Sequence, residues 1–508
     1  MIDESAGRAD DRVSAWSAQL HERRMRTQAA RHLPLLGMAD KAFASRRFAD
    51  ARDLYLSLLQ DGLTDGDAAC RLLHCADWLA DWDMRDRIRD QVIDLVRGEA
   101  RRDGIPGTEP LAFLSLDLDP VTLLAVSRTR AAGLFPCGSE GGRAIGSQRR
   151  RMRVGYLSID FRSHSSGGHL GLLLAAHDRD LVEVVAYGLE GEEPPPDALA
   201  ADRYVALGNH TIAAALEVLD QEAPDVLIDT TRHLRNGAAW LANRRLAPLQ
   251  ISAWGYGGSS GNASMDLLLT DPVLSGGSRA VEAVEAVREI ACYPAVEPLG
   301  PGSAAPFSPR TALRQNGNQK NGRNDDALVL GALCSPYKID PAVFGAWLDI
   351  LAAVPEAVLW LADGPEGFAD RLRRVAQHRG IAARRLIFLP TVPPAAHLAR
   401  LSRIDLFLDN SRLGGGRGVF DALACGRPVL AWPGGDMRDR SAASLLHAVG
   451  LGALVPPDVP TYTRQAIVFC RDEAMRARWE EATASAKGIG PEPIVRALEE
   501  LFREWFEL

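Results

Sequence analysis

The chain has 508 residues, of which 46% are apolar and 24% charged, with a formal net charge of −8. That is the profile of a globular protein of several domains, and with no long basic stretch beyond Arg149-Arg150-Arg151 it argues against nucleic acid as a main partner. Seven scattered cysteines without a CxxC pair argue against a zinc site or a disulfide framework, no apolar run is long enough to span a bilayer, and Met1-Ile2-Asp3-Glu4-Ser5 lacks a secretion-signal pattern, so a cytoplasmic protein with reduced thiols and no membrane partner is expected.

Residues 1–135 read as helical. Apolar residues recur at helical spacing through Ala39, Ala42 and Phe43, then through Phe48, Ala51, Leu54, Tyr55, Leu58 and Leu59. Small residues where two helices would cross, with aromatics beside them, make this stretch like one tetratricopeptide unit, although a generic helical hairpin has similar spacing. Further helices are predicted over 68–79 and 84–101, before Pro106, Gly107 and Pro110 break the pattern. The Gly, Ser and Arg of 136–151 read as a linker.

The periodicity then changes. Strands are predicted at 152–157, 182–187, 226–229 and 249–254, with a helix over 168–176 and a proline-rich exposed loop over 190–197. Residues 296–326, rich in Pro, Gly, Ser and Asn, read as a flexible insert. Alternation resumes with strands at 327–333, 358–362, 386–389, 404–408 and 429–432. The chain therefore divides into an α/β lobe over 152–295, a second over 327–485, and an amphipathic C-terminal helix within 486–508 that packs back on a lobe. Strands alternating with helices imply parallel sheets, and two successive Rossmann-like lobes imply a cleft with ligands at the carboxyl ends of strands.

The stretch Asp409 to Asp421, Asp-Asn-Ser-Arg-Leu-Gly-Gly-Gly-Arg-Gly-Val-Phe-Asp, lies between a predicted strand and a helix expected to start near Val419. Such a turn points backbone N–H groups at a ligand from the positive end of the helix, a geometry that holds phosphate, and an acid in the first helical turn, Asp421, would reach ribose hydroxyls. A plain β-to-α turn has the same composition, because a lone glycine cluster is a weak signal.

Several ordered segments resemble one family. They include Cys75-Ala-Asp-Trp; Arg153-Val-Gly-Tyr-Leu-Ser-Ile-Asp-Phe-Arg-Ser-His followed by His169-Leu; Leu246-Ala-Pro-Leu-Gln-Ile-Ser-Ala-Trp-Gly-Tyr followed by Gly258-Ser-Ser-Gly; Tyr337-Lys-Ile-Asp-Pro; His397-Leu-Ala-Arg; and Asp421-Ala-Leu-Ala-Cys-Gly-Arg-Pro-Val-Leu. From about Leu72 to the C-terminus the chain resembles the O-linked N-acetylglucosamine transferases and their SPINDLY relatives. The resemblance implies a GT-B fold preceded by tetratricopeptide repeats. It implies metal-independent, inverting transfer of a sugar from a nucleotide diphosphate donor, UDP-GlcNAc foremost, to Ser or Thr of an acceptor protein, with no cofactor. A bacterial acceptor such as flagellin fits that reading, although no residue identifies it. The alternatives are a silent scaffold that binds protein, an epimerase of the same architecture, or a transferase with a changed donor sugar.

The resemblance also assigns roles. Lys338 would neutralise the departing diphosphate. His397 and Arg400, an i, i+3 pair on one helix face, would hold the uracil base, and Asp421 the ribose. Ser335 and the run Gly415, Gly416, Arg417 and Gly418 would complete the donor site. His164 is the candidate general base, and His169, Tyr256 and Gly258 are candidates for the sugar and acceptor pocket. The chain departs from the family where His-Thr-Thr becomes Gly416-Arg417-Gly418, where amides before the lysine become Cys334 and Ser335, and at Pro394, Arg203, Gly257 and Arg232-His233. In the donor loop the backbone amides remain, and Arg417 offers a bidentate phosphate contact in place of the lost hydroxyls.

Overall fold

The computed structural model describes residues 32–99 (Thr64 apart), 118–134, 151–290 and 328–507, with internal gaps at 160, 162–166, 190–191, 234–243, 256, 277–281, 411, 415, 433, 436, 487 and 489. The expected insert at 296–326 and all but the last residue of the expected linker at 136–151 lie outside the described residues.

The N-terminal part is helical. Residues 32–44 lead into α1 (Phe48–Gln60), α2 (Gly66–Trp78), α3 (Trp82–Glu99) and α4 (Pro120–Leu134). Ala39, Ala42 and Ala51 are buried where helices cross, and Phe48, Tyr55 and Leu58 fill the space against Ala69, Leu72 and Leu73 of α2. Small residues at the crossings let the helix axes approach, and each buried Leu or Phe contributes ~1.5–3 kcal/mol. Asp65 caps α2 by accepting the Ala68 N–H at 2.8 Å. The Phe48 ring stacks on Trp78, centroids 4.7 Å apart.

The first lobe is a seven-stranded sheet of β1 (Met152–Ser158), β2 (Val182–Gly188), β3 (Arg203–Ala206), β4 (Val226–Asp229), β5 (Leu249–Ser252), β6 (Leu267–Thr270) and β7 (Ala286–Glu289). Its order is β3-β2-β1-β4-β5-β6-β7, with every neighbouring pair parallel. Helices α5 (Gly167–Ala176), α6 (Ile212–Glu222) and the short α7 (Pro272–Ser275) connect strands. The central strands β4 and β5 are buried along their length, as parallel strands covered on both faces must be.

The second lobe repeats the plan with five parallel strands: β8 (Val329–Ala332), β9 (Val358–Ala362), β10 (Leu386–Leu389), β11 (Leu406–Leu408) and β12 (Val429–Leu430), in the order β10-β9-β8-β11-β12. Its helices are α8 (Pro341–Ala353), α9 (Phe368–His378), α10 (Pro394–Leu401), α11 (Gly416–Ala424), α12 (Ser441–Ala448), α13 (Val459–Arg471) and α14 (Glu473–Ser485). The chain reverses direction across the sheet between β8 and β11, which opens a crevice beyond their carboxyl ends.

The last helix, α15 (Glu492–Phe506), returns to the first lobe, as its amphipathic pattern predicts. Ile494, Val495, Leu498, Leu501 and Phe502 enter that lobe's core beside Leu170 and Leu174. No helix among the described residues is long and apolar enough to cross a membrane.

Candidate active site

Two segments leave the crevice of the second sheet side by side. After β8 the chain passes Cys334 and Ser335 into a 3-10 turn, Pro336–Lys338, closed by the Lys338 N–H donating to the Ser335 carbonyl at 3.0 Å. After β11 it forms the loop 409–415 and enters α11. The Lys338 Nζ donates to the Leu413 carbonyl at 2.7 Å, so the expected phosphate-neutralising lysine and the glycine-rich turn meet directly.

The loop is tightly seated. The Leu413 N–H donates to Asp439 Oδ1 at 3.0 Å, and a Cβ on Gly414 would fall 2.5 Å from the Asp439 carbonyl oxygen, so only glycine fits there. Leu413 itself has φ 48°, a left-handed conformation that a branched side chain adopts only when its surroundings enforce it. Burial pushes the Cys334 thiol up to about 12, with Lys338 nearby acting in the opposite direction, so the cysteine is neutral at the floor of the crevice.

Helix α11 begins at Gly416 rather than near Val419, so Asp421 lies in the second helical turn and not the first. Two glycines make a weak helix start, but burial of Val419 and Phe420 in the lobe's core favours the extra turn. Arg417 Nε lies 2.7 Å from Asp421 Oδ1, and its guanidinium sits 5.7 Å from the centre of the Phe420 ring. Burial pushes the Asp421 carboxyl up from its ordinary value, while Arg417 and His397 pull it down. His397 stands near enough on α10 to feel Asp421, Arg400 and Arg417; burial is the main cause that holds its imidazole below the usual range. The Arg400 guanidinium donates to the Pro390 carbonyl. One half-buried corner thus gathers His397, Arg400, Arg417 and Asp421.

The first lobe contributes a second wall. The loop after β5 carries Gly257, Gly258 and Ser259, which face Met437, Arg438 and Arg440 of the second lobe and Leu123, Leu124 and Ser127 of α4 around a cavity of about 90 Å³. Arg232, fully buried at the end of β4 with φ 47°, donates to the Gly258 carbonyl at 2.7 Å and to the Trp254 carbonyl, and His233 Nε2 lies 2.7 Å from the Ser260 carbonyl. The Arg232-His233 departure is therefore a clamp on the Gly258 loop. His169 is in the first turn of α5. His164, Tyr256 and Gly415 lie outside the described residues. Among the described residues, no three His, Cys, Asp or Glu side chains gather as a metal-holding group.

Sequence reasoning gave no role to two residues that the structure makes central. Arg412 stands inside the glycine-rich stretch, and Asp77 inside Cys75-Ala-Asp-Trp. They form an ion pair at 3.0 Å across 335 residues of chain. A charged Asp in the middle of an apolar helix face was the available signal.

The sequence profile of glycosyl transferase family 41 matches residues 141–291 and 304–487, more than half of the chain. The chain belongs to glycosyl transferase family 41. Among relatives of this family 41 chain, the probable UDP-N-acetylglucosamine–peptide N-acetylglucosaminyltransferase SEC of Arabidopsis thaliana is 24% identical over 455 residues, covering 86% of this chain and 46% of its own length. The UDP-N-acetylglucosamine–peptide N-acetylglucosaminyltransferase of Caenorhabditis elegans is 22% identical over 530 residues, covering 80% and 46%. The chain thus spans about half the length of the curated relatives it matches. A solved structure of the Thermobaculum terrenum O-GlcNAc transferase superposes with a TM-score of 0.74 at 23% identity, over 92% of this chain and 89% of that one, which places the two-lobed GT-B fold and its helical preface beyond doubt.

Proposed function

We propose that this family 41 chain is a protein glycosyltransferase that takes a sugar from a nucleoside diphosphate donor, UDP-GlcNAc, and places it on Ser or Thr of an acceptor protein in the cytoplasm with inversion at the anomeric carbon. The observation that carries the reading is the meeting of Lys338 with the glycine-rich loop at Leu413, beside the corner that holds His397, Arg400, Arg417 and Asp421. The names of the Arabidopsis and nematode relatives support the UDP-GlcNAc donor and the peptide acceptor.

In this reading His397 and Arg400 hold the base, Asp421 accepts from the ribose hydroxyls, and Lys338, Arg417 and the loop amides face the diphosphate. The acceptor hydroxyl attacks the anomeric carbon from the side opposite the diphosphate. A new C–O bond forms as the bond to the β-phosphate oxygen breaks, and His164 takes the hydroxyl proton. Charge builds on the departing diphosphate, where a fixed ammonium and oriented amides stabilise it most. The helical region recruits the acceptor.

Calorimetric titration with UDP, GDP and CMP, followed by transfer of isotope-labelled GlcNAc from UDP-GlcNAc to lysate proteins, tests the proposal. Preferred binding of UDP and label that β-elimination releases from protein support it. Binding of GDP or CMP in place of UDP points to a changed donor. Failure to bind any of the three replaces the enzyme with a protein-binding scaffold.

A further inference from the structure

We propose that Asp77 is a positioning residue for the donor site: from α2 it holds the Arg412–Leu413 segment against Lys338, so the helical region forms part of the diphosphate-binding apparatus. This inference rests on the reading of that loop as the diphosphate site.

Asp77 is fully buried. Its Oδ1 lies 3.0 Å from Arg412 Nη1 and 2.9 Å from Arg85 Nε. A carboxylate taken out of water stays charged only when cations close on it, and two guanidiniums do so here. Arg412 also approaches Asp340 Oδ2 at 3.5 Å. Asp340 caps α8 immediately after the Lys338 turn, so one arginine links the helical region, the glycine-rich loop and the lysine turn.

Other contacts point the same way. The Leu413 side chain packs against the core of the helical region while its carbonyl receives Lys338. On the lysine side, the Tyr337 ring lies 5.0 Å from His74 and 5.2 Å from Trp78, both on α2. Trp82 Nε1 donates to the Ile339 carbonyl at 3.2 Å. The residues flanking both ends of the Lys338–Leu413 hydrogen bond are thus gripped by α2 and the start of α3. The strained backbone of Leu413 needs such a grip. By contrast, among the described residues none of the contacts named above reaches His397 or Arg400, so loosening the network should disturb the diphosphate side of the site and leave the base side intact.

That asymmetry is the test. UDP and uridine are titrated calorimetrically into the full chain and into Asp77→Asn, Arg85→Gln and Trp82→Phe, with folding followed by circular dichroism. Asp77→Asn should lower UDP affinity by about ten-fold or more, as a displaced phosphate contact would. Its uridine affinity, and the UDP affinity of Arg85→Gln, which keeps the Asp77–Arg412 pair, should stay within about two-fold, as for uncoupled sites. Trp82→Phe keeps the ring beside Phe344, loses the bond to Ile339, and should weaken UDP selectively. Unchanged UDP affinity in Asp77→Asn, or UDP and uridine falling in step, overturns the inference. If Asp77→Asn does not fold, Trp82→Phe decides: a selective UDP loss upholds the inference and unchanged UDP binding overturns it. Absence of UDP binding by the unaltered chain instead removes the donor-site reading, and this inference with it.

Discussion

Arg417 and Asp421 are held together one turn apart on α11, Nε to Oδ1 at 2.7 Å, so the residues assigned to diphosphate and ribose form a single ion pair. Burial pushes the Asp421 carboxyl up, and Arg417 is the largest influence opposing it. In the proposed reading ribose hydroxyls donate to the charged form, so donor affinity should be lost as pH falls through the raised folded pKa. Arg417→Ala removes the opposing charge and should move that loss to higher pH. At neutral pH it should also weaken UDP by ~1.5–3 kcal/mol, the scale of a charge-assisted hydrogen bond. Calorimetric affinities across the acid range check both; an acid limb that does not move would detach Arg417 from Asp421's titration.

Lys338 makes its side-chain hydrogen bond to the Leu413 carbonyl, and in the proposed reading it faces the departing diphosphate. Lys338→Ala should lower turnover by ~10²–10³, as loss of a preorganised charge-stabilising donor does. The melting temperature should change little, because one half-buried hydrogen bond contributes only about 1 kcal/mol. Rates with labelled donor and a thermal melt separate the two. A rate within a few-fold of the parent would take Lys338 out of the reaction.

The sequence pattern made the sheets largely legible because both are parallel and buried, so β1, β2, β4, β5 and all five strands of the second lobe stand out as apolar runs. The missed strands have physical reasons. Arg203–Ala206 and Ala286–Glu289 are edge strands that carry charge, and Leu267–Thr270 is too short to distinguish from a buried helical turn. In the site, Lys338, His397, Arg400 and Asp421 were reached through motif resemblance, and the structure sets Lys338 on the loop and the other three in one corner. Asp77, Arg412 and Arg232 could not be reached that way. Their partners lie far along the chain or are backbone carbonyls, so spacing does not reveal them; the charge of Asp77 on an otherwise apolar helix face marks that residue but not its partner.

His397 offers an imidazole that burial holds below its ordinary value of 6.5, so it is neutral at pH 7; in the proposed reading it presents that uncharged ring to the base. Because protonation occurs only below that value, uridine affinity should be flat from about pH 6.5 upward. His397→Ala should weaken uridine and UDP equally, by ~1–3 kcal/mol, the usual contribution of a base stacked on an aromatic ring. This parallel loss contrasts with the diphosphate-selective loss expected for Asp77→Asn. A His397→Ala protein that loses UDP but not uridine would place the ring against the phosphates instead.

Glu499 ties the returning helix α15 to the first lobe. Its Oε1 lies 2.8 Å from His177 Nδ1 and accepts the Asp178 N–H at 2.9 Å, while His177 Nε2 meets the Tyr156 hydroxyl at 2.8 Å. Burial alone would raise the Glu499 carboxyl, but the bonds from His177 and the Asp178 amide outweigh it and hold the pKa below the ordinary glutamate value of 4.5. A carboxyl depressed on folding contributes stability that is complete above its unfolded pKa and is lost as pH falls through the folded one. The parent should therefore lose melting temperature from about pH 4.5 downward. Glu499→Gln should start less stable at pH 7 by ~1.5–3 kcal/mol and fall less steeply in acid. Leu498→Ala on the same helix, which deletes a fully buried side chain, should cost ~2–5 kcal/mol at every pH. Melts of the three proteins between neutral and acid pH distinguish a titrating anchor from simple packing: parallel curves for parent and Glu499→Gln would show that the carboxylate's charge is not what binds α15 to the lobe.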